Sequence, residues 1–530
     1  MDIPVKNCQM ECSRRGFLKS AAAGAAALGL GAFEKLYGMA AAKPSGKRPN
    51  ILFIMSDDHA CGAISAYGSV VNQTPNIDRI AKEGAILLRN ACGNSICAPS
   101  RATILTGKHS HINGVTNNVT AFDGSQQTFP KLFQQAGYMT AIVGKWHLKS
   151  EPTGFDYWDV LPGQGQYYNP VFINKDGKRN LDGYNADLVA DLTIDYLKRT
   201  VGSGKPFMVM CQFKAPHRPW LPNLKYLHLY DDVEIPEPAT LFDNYFERME
   251  PIKKQKNSIA KDMTLSHDLQ VRPVDPNDEA EAKNDKTSEY YNSMNSEQRT
   301  IWDAAFEKEN EEFQKEGLIG NELTSWKYQR YIKNYLRCVA SVDENVGRLL
   351  KYLDDAKIAE NTIIVYCSDQ GFFLGEHGLF DKRFIYDPSL SMPFVIRWPK
   401  QIKDGTKISE LTQNIDFAPT LLDAAGIEVP DDMQGCSFLP LLKGKHPADW
   451  RKSLYYHYYD KSYGCEPHEG VVTDRYKLIH FYHIDEWEFY DRQTDPYEMA
   501  SRYFDPYYSK QVVELKTELI RLKGYYKVPK

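Results

Sequence analysis

Four short apolar runs constrain this chain more than any other feature. Residues 50–58 read Asn-Ile-Leu-Phe-Ile-Met-Ser-Asp-Asp, and similar runs recur at 138–143, 207–213 and 362–367. Each is rich in β-formers and is followed at once by polar residues: Asp57-Asp58, then Gly-Lys-Trp-His at 144–147, Lys-Ala-Pro-His at 214–217 and Ser-Asp-Gln-Gly at 368–371. A strand that is apolar on both sides must be covered on both sides, as in a parallel sheet between helix layers. Ligands of such sheets collect where the strands' carboxyl ends open. Between the runs, Ile332, Leu336, Val339, Val342, Val346, Leu349 and Leu350 follow a helical period over 326–353. A further helix is predicted from Ile415-Asp416 to a stop at Gly426. The expectation is a large α/β domain.

That regularity breaks twice. Residues 223–324 are dense in Lys, Glu, Asp and Asn, including Lys253-Lys254-Gln255-Lys256. They read as a charged surface insertion, either helical and bordering the site or flexible. After about Gly444, short aromatic strands at 454–459, 470–473, 477–481 and 488–490 precede a predicted helix over 510–522. This pattern predicts a small antiparallel sheet closed by a helix, so the main domain is set at 43–444 and a C-terminal subdomain at 445–530.

The N-terminus reads as an address rather than as fold. Ser13-Arg14-Arg15-Gly16-Phe17-Leu18-Lys19 precedes an Ala/Gly-rich run to Phe33 and then Ala40-Ala41-Ala42. A basic start, a short apolar segment and small residues describe an export signal, and the Arg pair points to the twin-arginine type, which carries folded cargo. The leader is assigned to 1–42, the mature start near Lys43, and the location to the periplasm or beyond. No segment is long and apolar enough for a membrane span. A net charge of −5 over 530 residues excludes a global basic field for nucleic acid, so anion recognition must be local. The eight cysteines after the leader (Cys61, Cys92, Cys97, Cys211, Cys338, Cys367, Cys436 and Cys465) lack CxxC spacing, which argues against zinc fingers and thioredoxin-like chemistry.

Chemistry-bearing residues cluster at the strand ends. Asp57-Asp58 and Asp369-Gln370 follow two different strands; acids brought together repel unless a cation joins them. A hard cation such as Ca2+ takes carboxylate and amide oxygens, so three Asp and one Gln suit it; in isolation, N-caps and solvated turns account for the pairs better. Arg101, Lys145, His147, His217 and Lys382 occupy loops of the same kind, and together they would form a pocket for a tetrahedral anion.

Cys97-Ala98-Pro99-Ser100-Arg101, followed by Leu105-Thr106-Gly107, resembles the activation motif of the formylglycine-dependent (type I) sulfatases. Gly144-Lys145-Trp146-His147 resembles that family's second signature, and residues 50–58, Ala215-Pro216-His217, Ser368-Asp369-Gln370-Gly371 and Gly375-Glu376-His377-Gly378 fall in its order. The resemblance spans about 49–495. It implies an alkaline phosphatase-like fold, with a large mixed sheet sandwiched by helices. It implies that a maturation enzyme oxidises Cys97 to formylglycine, whose hydrate carries two geminal hydroxyls: one attacks sulfur, and the other loses its proton to expel sulfate. It also implies that Asp57, Asp58, Asp369 and Gln370, with the modified Cys97, hold Ca2+, and that Arg101 and Lys145 hold the formylglycine. Lys382 would bind sulfate, His217 would protonate the leaving alcohol and His147 would serve the elimination. Pro99 in a first helical turn would aim the helix N-terminus at the anion.

Residues 380–387, running into 392–399, resemble bacterial sulfatases acting on glycosaminoglycan sugars, in particular N-acetylglucosamine-6-O-sulfatases of the heparan-degrading kind. His377 and His468 are candidate substrate contacts; the aromatic residues 455–459 either line a sugar subsite or simply pack the small sheet. The competing functions are a phosphonate or phosphodiester hydrolase of the same superfamily, another carbohydrate or aryl sulfatase, and a non-catalytic sulfated-glycan binder.

Overall fold

A computed structural model describes residues 48–272 and 287–529. The predicted leader, and residues 273–286 of the charged segment, lie outside the described residues. Among the described residues, ten strands form the main sheet. In chain order they are β1 (Asn50–Ser56), β2 (Ala85–Leu87), β3 (Met139–Lys145), β4 (Tyr157–Leu161), β5 (Val171–Asn174), β6 (Gly177–Asn180), β7 (Phe207–Gln212), β8 (Thr362–Ser368), β9 (Phe394–Arg397) and β10 (Thr406–Ile408). Their spatial order is β10-β2-β9-β8-β1-β7-β3-β4-β5-β6. The central five, β8-β1-β7-β3-β4, run parallel, whereas β9 pairs antiparallel with β8, and β5 and β6 close the other side antiparallel. The sheet is mixed, with a parallel heart.

Alternation along β1 explains why its sequence is apolar throughout. Leu52 and Ile54 face one helix layer, packing with Val339, Val342 and Val346 of the long helix at Gly320–Asp355. Ile51, Phe53 and Met55 face the other layer, with Ala102 and Ile104 of the helix at Cys97–Thr106 and Phe417 and Leu421 of the helix at Phe417–Ala424. Cys211 and Cys367 are fully buried within their strands, and none of the eight cysteines among the described residues is disulfide-bonded.

The charged segment is less of a surface excursion than its composition predicts. Leu227, Ile235, Leu241, Ile259, Met263 and Leu269 are buried in the main core, and Ser258 forms an isolated bridge with Leu379. The acidic and basic residues concentrate on the helix at Ser296–Glu316, which buries only Trp302, Phe306 and Asn310.

The C-terminal sheet is antiparallel: β11 (Ser453–Tyr458), β12 (His468–Thr473), β13 (Tyr476–Phe481) and β14 (Glu486–Asp491). One face buries Tyr455, Val471, Leu478 and Phe489 under the helix at Ser509–Tyr525. Its other face, with Tyr456, Tyr458, Ile479 and Phe481, packs against Phe384, Ile385 and Tyr386 of the main domain.

Gly144 sits near the end of β3 at φ +100, where a Cβ would lie 2.0 Å from the Gln212 carbonyl oxygen of β7. Both the left-handed backbone and the strand contact forbid a side chain there. Gly144→Ala is expected to lose at least about 1–3 kcal/mol, read as a lower Tm in thermal unfolding.

Candidate active site

Parallel register builds the centre of the site. Ser56 of β1 is level with Ser368 of β8, so Asp57-Asp58 and Asp369-Gln370 leave the sheet side by side. Met55 of β1 and Gly144 of β3 are both level with Gln212 of β7, which brings Lys145, His147, Lys214 and His217 to the same edge. Asp57, Asp58 and Asp369 are fully buried, and one oxygen from each lies within 4.8 Å of the others.

Cations answer these acids one by one. Lys145 donates to Asp57 and to Gln164. Arg101 pairs with Asp369, Nε and Nη2 lying 3.1 and 3.0 Å from Oδ2, and its Nη1 donates to the Lys145 carbonyl at 2.8 Å. Lys382 straddles Asp58, with Nζ 2.6 and 2.5 Å from its two oxygens. Burial pushes the Asp58 carboxyl up to about 6, even though Lys382 pulls the other way.

Cys97 is the first residue of its helix, and Arg101 follows one turn later. Its Sγ, an oxygen of Asp57 and a ring nitrogen of His217 lie within 4.8 Å of one another. Gln370 Nε2 approaches the sulfur at 4.0 Å. Burial pushes the thiol up to about 12, so at neutral pH the unmodified side chain is not a thiolate. Asn118 accepts from the Ala98 N–H at 3.0 Å, and Ser100 donates to the Asp369 carbonyl, tying the helix start to the metal-type acids.

The histidines are held neutral. Burial first, then Lys145 and Lys382, drives His217 well below its ordinary range. Its Nδ1 faces the Arg218 carbonyl at 2.5 Å; a carbonyl only accepts, so the proton is on Nδ1 and Nε2 points at Asp58 across 3.7 Å. Burial and the cations Lys145 and Arg101 likewise lower His147, whose buried Nδ1 has no hydrogen-bond partner.

Two predicted substrate contacts lie elsewhere. His468 is a correction: it is fully buried, its Nε2 accepts from the Ile385 N–H at 3.1 Å and its Nδ1 faces the Glu466 carbonyl at 2.8 Å. Stacked on Tyr456 and Phe384, it braces the loop after Lys382 and presents no nitrogen to a sugar. His377 is also buried, with Nδ1 2.7 Å from Arg248 and 3.2 Å from Asp243, and so belongs to a separate network. Gln164, Asn118 and Lys214 were missed by sequence reasoning. Lys214 alone had a signal, lying three residues before His217 directly after a buried strand.

The donor set fits a hard cation. It offers three carboxylates and an amide, and Asp57 Oδ1 and Gln370 Oε1 are buried oxygens that accept no hydrogen bond.

Known proteins resemble this chain in sequence and in fold. Residues 49–427 match the sulfatase family, residues 375–524 match the family described as N-sulphoglucosamine sulphohydrolase, C-terminal, and residues 11–31 match the twin-arginine translocation signal. The chain is 48% identical over 494 residues to an N-acetylglucosamine-6-O-sulfatase of Bacteroides thetaiotaomicron, covering 92% of this chain and 88% of that protein. It is 26% identical to the human N-acetylglucosamine-6-sulfatase, covering 81% and 70%. A protein solved in complex with D-glucosamine-2-N,6-O-disulfate superposes with a TM-score of 0.87 at 47% identity, covering 91% of this chain and 98% of that one. The phosphonate monoester hydrolase of Agrobacterium radiobacter shares the fold, with a TM-score of 0.65 at 20% identity over 90% of this chain and 96% of that one.

Lys382→Met leaves the buried Asp58 without its bidentate partner. At pH 8 in chelator the variant is expected to be destabilised by roughly 3–5 kcal/mol. Asp58 already titrates above its ordinary value with Lys382 present; without that lysine it titrates higher still, so the variant loses stability as pH rises from the ordinary carboxylate range towards that raised value. At pH 5 the carboxyl stays protonated and the loss should shrink. Urea unfolding at the two pH values measures the difference.

Proposed function

The chain belongs to the sulfatase family, and on that premise we propose that it removes the 6-O-sulfate of N-acetylglucosamine in heparan-type glycosaminoglycan. Sulfatase activity and export by the twin-arginine signal follow from the family and signal matches, and among the described residues no helix is long and apolar enough to cross a membrane. The observation that carries the proposal is Cys97 at a buried helix N-terminus, beside Asp57 and His217. Support for the sugar comes from the 48%-identical relative and from the structure with the glucosamine disulfate.

Oxidised to formylglycine by a maturation enzyme, Cys97 supplies a hydrated aldehyde as the nucleophile. Asp57, Asp58, Asp369 and Gln370 would hold Ca2+, which when bound would supply charge stabilisation to the sulfate and acidify the nucleophile. Arg101 and Lys145, locked by their acids and by each other, would hold the modified side chain. Lys382 orients the sulfate. His217 is neutral in the resting pocket; an entering anion offsets the cations that suppress its protonation, so it charges when substrate is bound and gives its Nε2 proton to the departing alcohol. His147, also neutral, accepts the proton in the regeneration step.

With Cys97 converted, sulfate release is expected from N-acetylglucosamine-6-sulfate and not from 2-O- or N-sulfated counterparts, and Cys97→Ala should abolish it. Hydrolysis of phosphodiesters to an alcohol and a monoester, without sulfate release from sulfate esters, would overturn the proposal. Thermal unfolding tests the metal independently of activity. Ca2+ added to chelator-treated protein should raise Tm saturably, by about 2.7 kcal/mol equivalent at a hundredfold excess over Kd, and Asp369→Asn should remove most of that gain.

A further inference from the structure

Every cation placed above in the mechanism has a carboxylate partner, and so do the neighbouring Arg218 and Arg383, which pair with Asp268 and Asp381. Lys214 differs. It lies two residues past β7, is fully buried, and its Nζ has no hydrogen-bond partner. The ammonium rests 4.9 Å from the ring centroid of Tyr167, whose hydroxyl in turn donates to the His217 carbonyl at 2.6 Å. Lys214 and the general-acid candidate therefore share one support.

Charge counting sharpens the anomaly. Asp57, Asp58 and Asp369 carry three negative charges, and Lys145, Lys382 and Arg101 return three positive ones through the pairs described. Lys214 is an unmatched positive charge, within electrostatic reach of Asp58, Cys97 and Lys382. Burial pulls it down to about 8, still mainly protonated at neutral pH. A buried ammonium held only by a ring face is costly, and an arriving anion relieves that cost.

We propose that Lys214 is a substrate-contacting residue, its ammonium taking an oxygen of the sulfate group held at Cys97 from the His217 side of the pocket. This rests on the sulfatase reading and adds to it a sulfate ligand distinct from Lys382. Contact from this side also places a fixed positive charge beside the bond that breaks, where negative charge grows on the leaving oxygen.

Inorganic sulfate is the probe, titrated calorimetrically into the full chain with Cys97 as the thiol and Ca2+ present throughout. Wild type should bind sulfate. Lys214→Met and Lys214→Gln, one apolar and one polar, should each bind about tenfold more weakly or worse, while their Tm is unchanged or higher because an unpaired buried charge is gone. In the converted enzyme, KM for the sulfate ester should rise in both variants. Equal sulfate binding in all three proteins would overturn the inference alone. No sulfate binding by wild type would also overturn the inference, whereas failure of the converted wild type to release sulfate from the ester would overturn the reading on which it rests.

Discussion

The parallel pairing of β1 with β8 is the constraint on which the rest depends. By setting Ser56 level with Ser368, it forces three aspartates from distant parts of the chain into one buried space. Such a cluster is intolerable without positive charge. The surrounding elements answer with Arg101 from its helix, Lys145 from the end of β3 and Lys382 from a separate segment. The pocket is thus an electrostatic necessity of the strand register before it is a catalytic device. On the proposed reading, an anion would enter a space in which the cations are already fixed by their acids, with little reorganisation left for the moment of reaction.

The C-terminal sheet takes part in this although none of its residues touches the acids. Tyr456 donates to the Arg383 carbonyl, His468 receives the Ile385 N–H, and Lys477 donates to the Ile385 carbonyl at 2.8 Å and to Asp387 at 2.7 Å. These bonds clamp the segment directly after Lys382. The small sheet acts as a buttress, and its aromatic richness serves packing against 384–386.

Much of this was legible from sequence because it rests on local pattern. Strand runs covered on both faces, polar residues at their ends and a helix opening on Cys97 all lie in contiguous segments. What escaped depends on long-range contact. His468 has the composition of a ligand, yet Phe384 and Tyr456, from two other segments, wall it in. The segment from 223 looked solvated because its charges are dense, but its apolar residues are spaced irregularly by turns and dock one at a time. Lys214 was overlooked beside His217 because nothing in the sequence says that its partner is a tyrosine ring rather than an acid.

Cys97 is wholly enclosed in the folded chain, in a helix whose first turn is pinned by Asn118 and Asp369. A maturation enzyme of the proposed kind would therefore have to meet this segment as loose polypeptide, before α/β packing closes over it. The twin-arginine route then moves the folded product. On the proposed reading, synthesis, oxidation, folding and export would be left with a single workable order, and a chain that folded first would keep its thiol.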